Sequence, residues 1–255
     1  MNAVHRSDVG RVRAVNEDRA YSETLDNGYT IAVVADGMGG HQAGDVASRL
    51  AVETIVRELS ALPAELDAKE RRSSLEQAIL RANDTIFHIA SQDEKYNHMG
   101  TTVVAALAYQ QEVIIGHIGD SRAYVVSRNA IRQLTEDHSL VHELVRNGQI
   151  TAEEAETHPR RNVLIRALGT DEDVQVDTVE WSLKNDEVLL LCSDGLTRMI
   201  DDSTIWTITI DPSLPLTVIA DRLIARAIDA GGDDNVTVVL VQGQEPGIKK
   251  VGCDD

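Results

Sequence analysis

Aromatic residues are scarce: the 255 residues include one Phe, two Trp and five Tyr. Stacking platforms for bases are therefore not expected, and a core has to be built from Ala, Val, Ile and Leu. Cysteine is scarcer still. Cys192 sits in an apolar run and Cys253 near the end, which supplies neither a disulfide framework nor metal-ligand spacing, so a reducing cytoplasm is the expected compartment. Positive charge is in deficit, with 24 Lys and Arg against 42 Asp and Glu and a formal net charge of −18. Such a surplus repels phosphate backbones and anionic headgroups at long range, so neither nucleic acid nor a membrane surface is an expected partner. Long apolar runs are missing as well. None approaches the roughly 18 residues of a membrane span, and the opening MNAVHRSDVGR has no apolar stretch after its charges.

What is abundant is aliphatic. With 42% hydrophobic and 26% charged residues, the chain supports a packed core despite its acidity. Residues 20–24 and 29–35 read as strands joined by Asn27-Gly28, a strong hairpin signal. From Gly44 the period lengthens, and Ala47, Ala51, Ile55 and Leu59, then Leu75, Ile79, Ala82, Ile86 and Ile89, mark two amphipathic helices. Pro63 and the polar stretch 67–74 are expected to separate them. Strands are expected at 102–108, 113–118 and 123–126, with links too short for helical crossovers and hence antiparallel pairing. Residues 139–168 read as a polar, helical insertion. Strands at 174–179, 188–192 and 236–241, with a helix carrying Leu216, Ile219, Ala220, Leu223, Ala227 and Ile228 before the last, complete the pattern. No repeat or linker divides the chain. One α+β domain over residues 1–243 is expected, with 244–255 as a flexible tail.

Apolar runs repeatedly end in aspartate. Residues 31–35 lead to Asp36-Gly37, residues 113–118 lead through Gly119 to Asp120, and residues 188–192 lead through Ser193 to Asp194-Gly195. Gly231-Gly232-Asp233-Asp234-Asn235 directly precedes the last strand. Any one of these is an ordinary turn. Together they can converge at one rim of the sheets, where several carboxylates would repel one another and raise each other's pKa unless a cation offsets them. Oxygen-only ligands suit Mg²⁺ or Mn²⁺, whereas zinc usually asks for His or Cys. His138 and His142 lie four apart, but Ser139 stands where the zinc-protease pattern needs Glu, so the pair is expected on an ordinary helix face. A nucleotide-binding glycine loop is excluded by Gln42 and by the lack of any Gly-x-x-x-x-Gly-Lys motif, and a serine hydrolase by the settings of Ser121 and Ser193.

Seven segments carry a resemblance. They are Arg11-Val-Arg-Ala-Val-Asn-Glu-Asp18, which contains Arg13, Asp36-Gly-Met-Gly-Gly-His-Gln-Ala-Gly44, Gly100-Thr-Thr102, Gly119-Asp-Ser-Arg-Ala-Tyr124, Leu134-Thr-Glu-Asp-His-Ser139, Ser193-Asp-Gly-Leu196 and Gly232-Asp-Asp-Asn-Val-Thr237. From Ser7 to Gln242 the chain resembles the metal-dependent protein phosphatases, the protein phosphatase 2C family, in their compact bacterial form. The resemblance implies a four-layer α-β-β-α sandwich of two antiparallel sheets flanked by helices. A helical flap at residues 139–168 and a metal site at one edge of the sheets come with it.

The resemblance also implies roles. Asp36 would bridge two cations, Mn²⁺ or Mg²⁺, with the Gly37 carbonyl, Asp194 and Asp234 completing the pair, and Asp120 with Asp194 would hold a weaker third. Asp234 is preferred to Asp233 because it directly precedes Asn235. Glu17 and Asp18 would hold waters on the metals. Arg13 matches the phosphate-binding arginine, since a guanidinium grips two phosphate oxygens at once. His41 could give the leaving alkoxide its proton, an imidazole of pKa near 6.5 being suited to that. Many eukaryotic relatives carry that histidine directly after Asp-Gly, where this chain has Met38, so helix capping or ordering of water are open roles for His41. The implied reaction is hydrolysis of phosphoserine and phosphothreonine by a water or hydroxide bridging two cations. Phosphorylated proteins are the implied partners, with a cognate Ser/Thr kinase opposing the reaction. The alternative is a catalytically inactive relative that binds phosphoproteins.

Overall fold

The computed structural model describes residues 1–39, 43–211 and 213–243. Chain order is β1 (Asn2–Asp8), β2 (Asp18–Thr24), β3 (Tyr29–Met38), α1 (Ala43–Ser60), α2 (Ala68–Gln92), β4 (Gly100–Thr101), β5 (Val103–Tyr109), β6 (Glu112–Ile118), β7 (Arg122–Val126) and β8 (Ile131–Gln133). Then follow α3 (Leu140–Arg146), α4 (Ala152–Glu156), β9 (Asp177–Ser182), β10 (Val188–Cys192), α5 (Asp194–Thr197), α6 (Asp202–Thr209), α7 (Leu216–Asp229) and β11 (Val236–Gln242). One sheet runs β1-β11-β10-β7-β8 and the other β2-β3-β5-β6-β9, with β4 paired to β3. Every pairing is antiparallel.

Side-chain alternation sorts the strands into layers. On β3, Ile31, Val33 and Ala35 face α1 and α2 together with Ala47, Ala51, Ile55 and Leu75. Ala32 and Val34 point the other way, into a layer between the sheets shared with Val104, Leu189, Leu191 and Val239. The opposite sheet presents Leu190, Val238 and Leu240 to Ile205 of α6 and to Leu216, Ala220 and Leu223 of α7. Three apolar layers between four structural ones make the α-β-β-α sandwich. Because both faces of the central strands are buried, they read as continuous apolar runs.

Several local expectations shift. The stretch 67–74 is no separator, because Asp67 N-caps α2 and forms a capping box with Glu70, which starts the helix at Ala68. The strands after Gly100 do not form one meander. β5 and β6 pair, but Gly119 at φ 107° turns the chain so that β7 joins the other sheet beside β10. The strand expected at 174–179 begins at Asp177, while Val174 and Val176 pack against the helix-side core. Residues 139–168 hold only the short α3 and α4, and are tied down by bridges from Ser139 to Leu164 and from Leu168 to Thr101. His138 lies before Ser139, the N-cap of α3, so it does not share a helix face with His142. The expected tail 244–255, with Cys253, lies outside the described residues. Among the described residues no helix is long and apolar enough to cross a membrane.

Candidate metal centre

Strand register gathers the acidic residues at one edge of the sandwich. Asp18, opening β2, pairs with Asp36 near the end of β3. In the other sheet Cys192 stands opposite both Arg122 and Val238, so the residues just beyond these strand ends, Asp194, Asp120 and Asp234, become neighbours. Arg13, Asp36, Asp120, Asp194, Arg198 and Asp234 line a cavity of about 210 Å³, with Glu17 and Gly37 also on its wall. Asp233 is exposed. His41 lies outside the described residues.

Hydroxyls and close backbone approaches hold this arrangement. The Asp36 amide donates to Thr102 Oγ1 at 3.1 Å, and the Asp36 carbonyl accepts from the Thr102 amide and from Thr101 Oγ1, each at 2.9 Å. Ser193 Oγ donates to Asp18 Oδ2 at 2.7 Å and accepts from the Thr237 amide at 3.1 Å. The Asn235 amide group donates to the carbonyls of Val9 and Val15, and its oxygen accepts from the Glu17 amide, which pins the loop that carries Arg13. Two glycines permit the approach. A Cβ on Gly37 would lie 2.1 Å from the Gly44 carbonyl oxygen, and one on Gly195 would lie 1.9 Å from that of Asn235. Any side chain there would push the ligand-bearing loops apart.

The cluster is electrostatically unfinished. Burial pushes Asp36 well above the carboxylate range, with the charges of Asp18, Asp194 and Asp120 adding to it. Burial raises Asp18 to about 7 against the hydrogen bonds from Ser193 and Thr237, and raises Asp120 to about 7, where Asp194 adds and Arg198 opposes. Asp194 is raised by burial despite Arg198. Asp18 Oδ1 and Asp194 Oδ1 are buried with no hydrogen-bond partner among the described residues. Orphaned carboxylate oxygens in an oxygen-only set fit hard divalent cations such as Mg²⁺ or Mn²⁺. Protein cations cover part of the deficit: Arg13 Nη2 donates to Asp234 Oδ2 at 2.8 Å, and Arg198 Nη2 lies 2.5 Å from Asp194 Oδ2 and 3.7 Å from Asp120 Oδ2. Sequence reasoning missed Arg198. Its signal was the four-residue spacing from Asp194, which places both on one side of a helical turn.

A second cluster lies next door, with ligand-type atoms of His117, His138 and Asp177 within 4.8 Å of one another. Two of its three members are already engaged and do not suit a metal, although His117 Nδ1 is buried with no hydrogen-bond partner among the described residues. The His138 Nδ1 accepts from the Gly119 amide at 3.1 Å, so the proton of the neutral ring sits on Nε2, which donates to Asp177 Oδ2 at 3.2 Å. Arg166 Nη1 already holds Asp177 Oδ1 at 2.9 Å.

Fold and site together define a metal-dependent phosphatase of the α-β-β-α class. A family model described as Protein phosphatase 2C matches residues 10–219, and the chain belongs to that family. It is 45% identical over 243 residues to the serine/threonine phosphatase Stp of Listeria monocytogenes, covering 95% of this chain and 96% of that one. It is 38% identical to the protein phosphatase PhpP of Streptococcus pneumoniae, covering 94% of this chain and 96% of that one. Among solved structures it is similar to the serine/threonine phosphatase Stp1 of Staphylococcus aureus, with a TM-score of 0.90, 36% identity and 95% of each chain covered. The catalytic domain of the serine/threonine phosphatase PstP, solved with two manganese ions, matches with a TM-score of 0.82 at 34% identity, covering 94% of this chain and 96% of that one. Bound manganese is thus seen in a relative.

Proposed function

We propose that this chain is a protein phosphatase that removes phosphate from serine and threonine side chains in one catalytic domain, residues 1–243, with residues 139–168 as its flap. The observation that carries the reading is the buried carboxylate cluster, with two orphaned oxygens, lying beneath an arginine. Asp36, the Gly37 carbonyl, Asp194 and Asp234 would hold two divalent cations, Mn²⁺ or Mg²⁺, and Asp120 with Asp194 a weaker third. Cations bound there would lower the pKa of a coordinated water and offset the charge of the phosphate dianion.

The chain's own groups do the rest. Arg13 is half-exposed at the mouth of the cavity and bonded to Asp234 through one nitrogen, so its remaining donors can grip phosphate oxygens. Glu17 on the cavity wall and Asp18 buried opposite Asp36 add carboxylates to the centre. A groove of about 970 Å³ leads from the cavity past Ser139, His142, Glu156 and Arg161, and gives a phosphorylated segment a place to lie against the flap. Phosphorylated cytoplasmic proteins, among them an opposing Ser/Thr kinase, are the partners this reading assigns.

The test uses a phosphothreonine peptide. Protein stripped with EDTA should be inactive, Mn²⁺ should restore phosphate release, and acid quenching with ³²P-labelled substrate should leave no label on the chain. A lack of turnover by Mn²⁺-loaded protein would favour the inactive phosphoprotein-binding alternative.

A further inference from the structure

Arg198 deepens this reading of the metal centre and rests on it. Its guanidinium occupies the space between Asp194 and Asp120, 2.5 Å from Oδ2 of the first and 3.7 Å from Oδ2 of the second. The geometry points to Arg198 as an internal cation that competes with the third metal ion for Asp120 and Asp194, so that occupancy of the third site requires displacing the chain's own side chain.

Three observations support this. The position is built: α5 is a single turn whose C-cap is Arg198, and the Arg198 amide donates to the Asp194 carbonyl at 2.8 Å, which sets the side chain beside the carboxylate four residues earlier. The two metal positions are treated differently by the same residue. Asp194 Oδ1 is buried with no partner among the described residues, while Oδ2 is taken by Arg198, whose Nη2 also lies 3.7 Å from Asp120 Oδ2. Finally, the side chain has somewhere to go. Arg198 keeps 28% of its side-chain surface exposed against 13% for Asp194 and 11% for Asp120, and it also lines the adjoining 970 Å³ groove. Neighbouring Arg122 has no such freedom, because Asp137 takes its Nε and Nη2 and the Tyr124 hydroxyl its Nη1.

A divalent ion entering between these carboxylates meets a positive charge about 4 Å away, a repulsion that water screens poorly in a half-buried site. Either the guanidinium leaves or the ion binds weakly. When it leaves, it swings into the groove where a phosphorylated segment would lie, and filling the third site would place one more cation beside the substrate.

The experiment counts Mn²⁺ by calorimetry and by electron paramagnetic resonance on the full chain at fixed pH and salt. Wild-type protein should bind two ions tightly and a third weakly. R198M, which keeps the length but removes the charge, should tighten the third site at least about tenfold and leave the pair within about threefold. R198K should keep the third site weak. Adding D120N to R198M should abolish the gain. Unchanged third-site affinity in R198M, equal tightening of the pair, or a gain that survives D120N would each overturn the proposal. The tight pair reports on folding in every variant and separates the two readings. If wild type binds no Mn²⁺ the metal centre itself fails, whereas intact pair binding with an unmoved third site removes only the role of Arg198.

Discussion

Two buried clusters of titratable side chains meet at Gly119, and they solve the problem of buried charge in opposite ways. The carboxylate cluster of Asp18, Asp36, Asp120 and Asp194 packs like charges together, leaves two oxygens without a partner among the described residues and is raised out of the ordinary range by burial and mutual repulsion. The knot of His117, His138 and Asp177 is balanced in charge, although His117 Nδ1 is likewise buried without a partner among the described residues. Its rings stack at 4.7 Å, both His138 nitrogens are bonded, and Asp177 is shared between His138 and Arg166. Burial alone would raise Asp177, but hydrogen bonding and charge from Arg166 hold it low. Proximity of ligand-type atoms is common to both clusters. What distinguishes a metal centre is charge left over after every internal partner has been counted.

The largest expected effect tests that distinction. Asp36→Asn and Asp194→Asn should each lower Mn²⁺-dependent turnover by more than about 100-fold, since even residues that merely orient metal ligands are worth roughly 10–100-fold. His117→Ala should leave the number of bound Mn²⁺ ions unchanged. A lost ion in His117→Ala would erase the contrast between the clusters.

A smaller effect sets their pH responses in opposite directions. In metal-free protein Asp18 and Asp120 titrate at about 7 when folded and near 3.8 when unfolded, so the native state binds more protons between those values. Their contribution to stability is present at low pH and lost as pH rises towards 7. His138 does the reverse: burial, helped by His117 and Arg166, lowers it from 6.5 to about 4. The unfolded state then binds more protons, and the stability contributed is full above 6.5 and lost as pH falls towards 4. The Tm of EDTA-treated protein should therefore fall between pH 6 and 7.5 by more than about 5 °C, and Mn²⁺ should reverse the trend. Hydrogen exchange at the Gly119 and Ile165 amides, which bond to His138, should accelerate below pH 6 after correction for intrinsic rates. A rising Tm in EDTA over that interval would show that the carboxylates are paired by something else.

The smallest effect sharpens the comparison within the acidic cluster. Ser193→Ala removes a hydroxyl bonded to Asp18 Oδ2 and strips the Thr237 amide of a partner. It should cost about 1–2 kcal/mol in urea unfolding. A larger loss in EDTA than in Mn²⁺ is expected, because bound cations take over part of the restraint on Asp18.

Much of the architecture was legible because its signals are local. Asn27-Gly28 specified the hairpin of β2 and β3, four-residue spacing specified α1, and Asp36-Gly37, Asp194-Gly195 and Asp234-Asn235 marked the strand ends that form the site. Elements lacking such signals went unread. β1 is an edge strand of mixed polarity, Asn2–Asp8, whose strand state depends on pairing with β11 more than two hundred residues away, and α6 spans only Asp202–Thr209. The sequence by itself determined most of the strands of the two sheets, the acidic strand ends and the family, since turn chemistry and side-chain periodicity act over a few residues. Only the tertiary structure decided that β7 crosses to the second sheet, that His138 closes a balanced knot, and that Arg198 sits between Asp120 and Asp194. Those outcomes depend on which charges become neighbours away from water, and that is settled by strand register and burial across the whole chain.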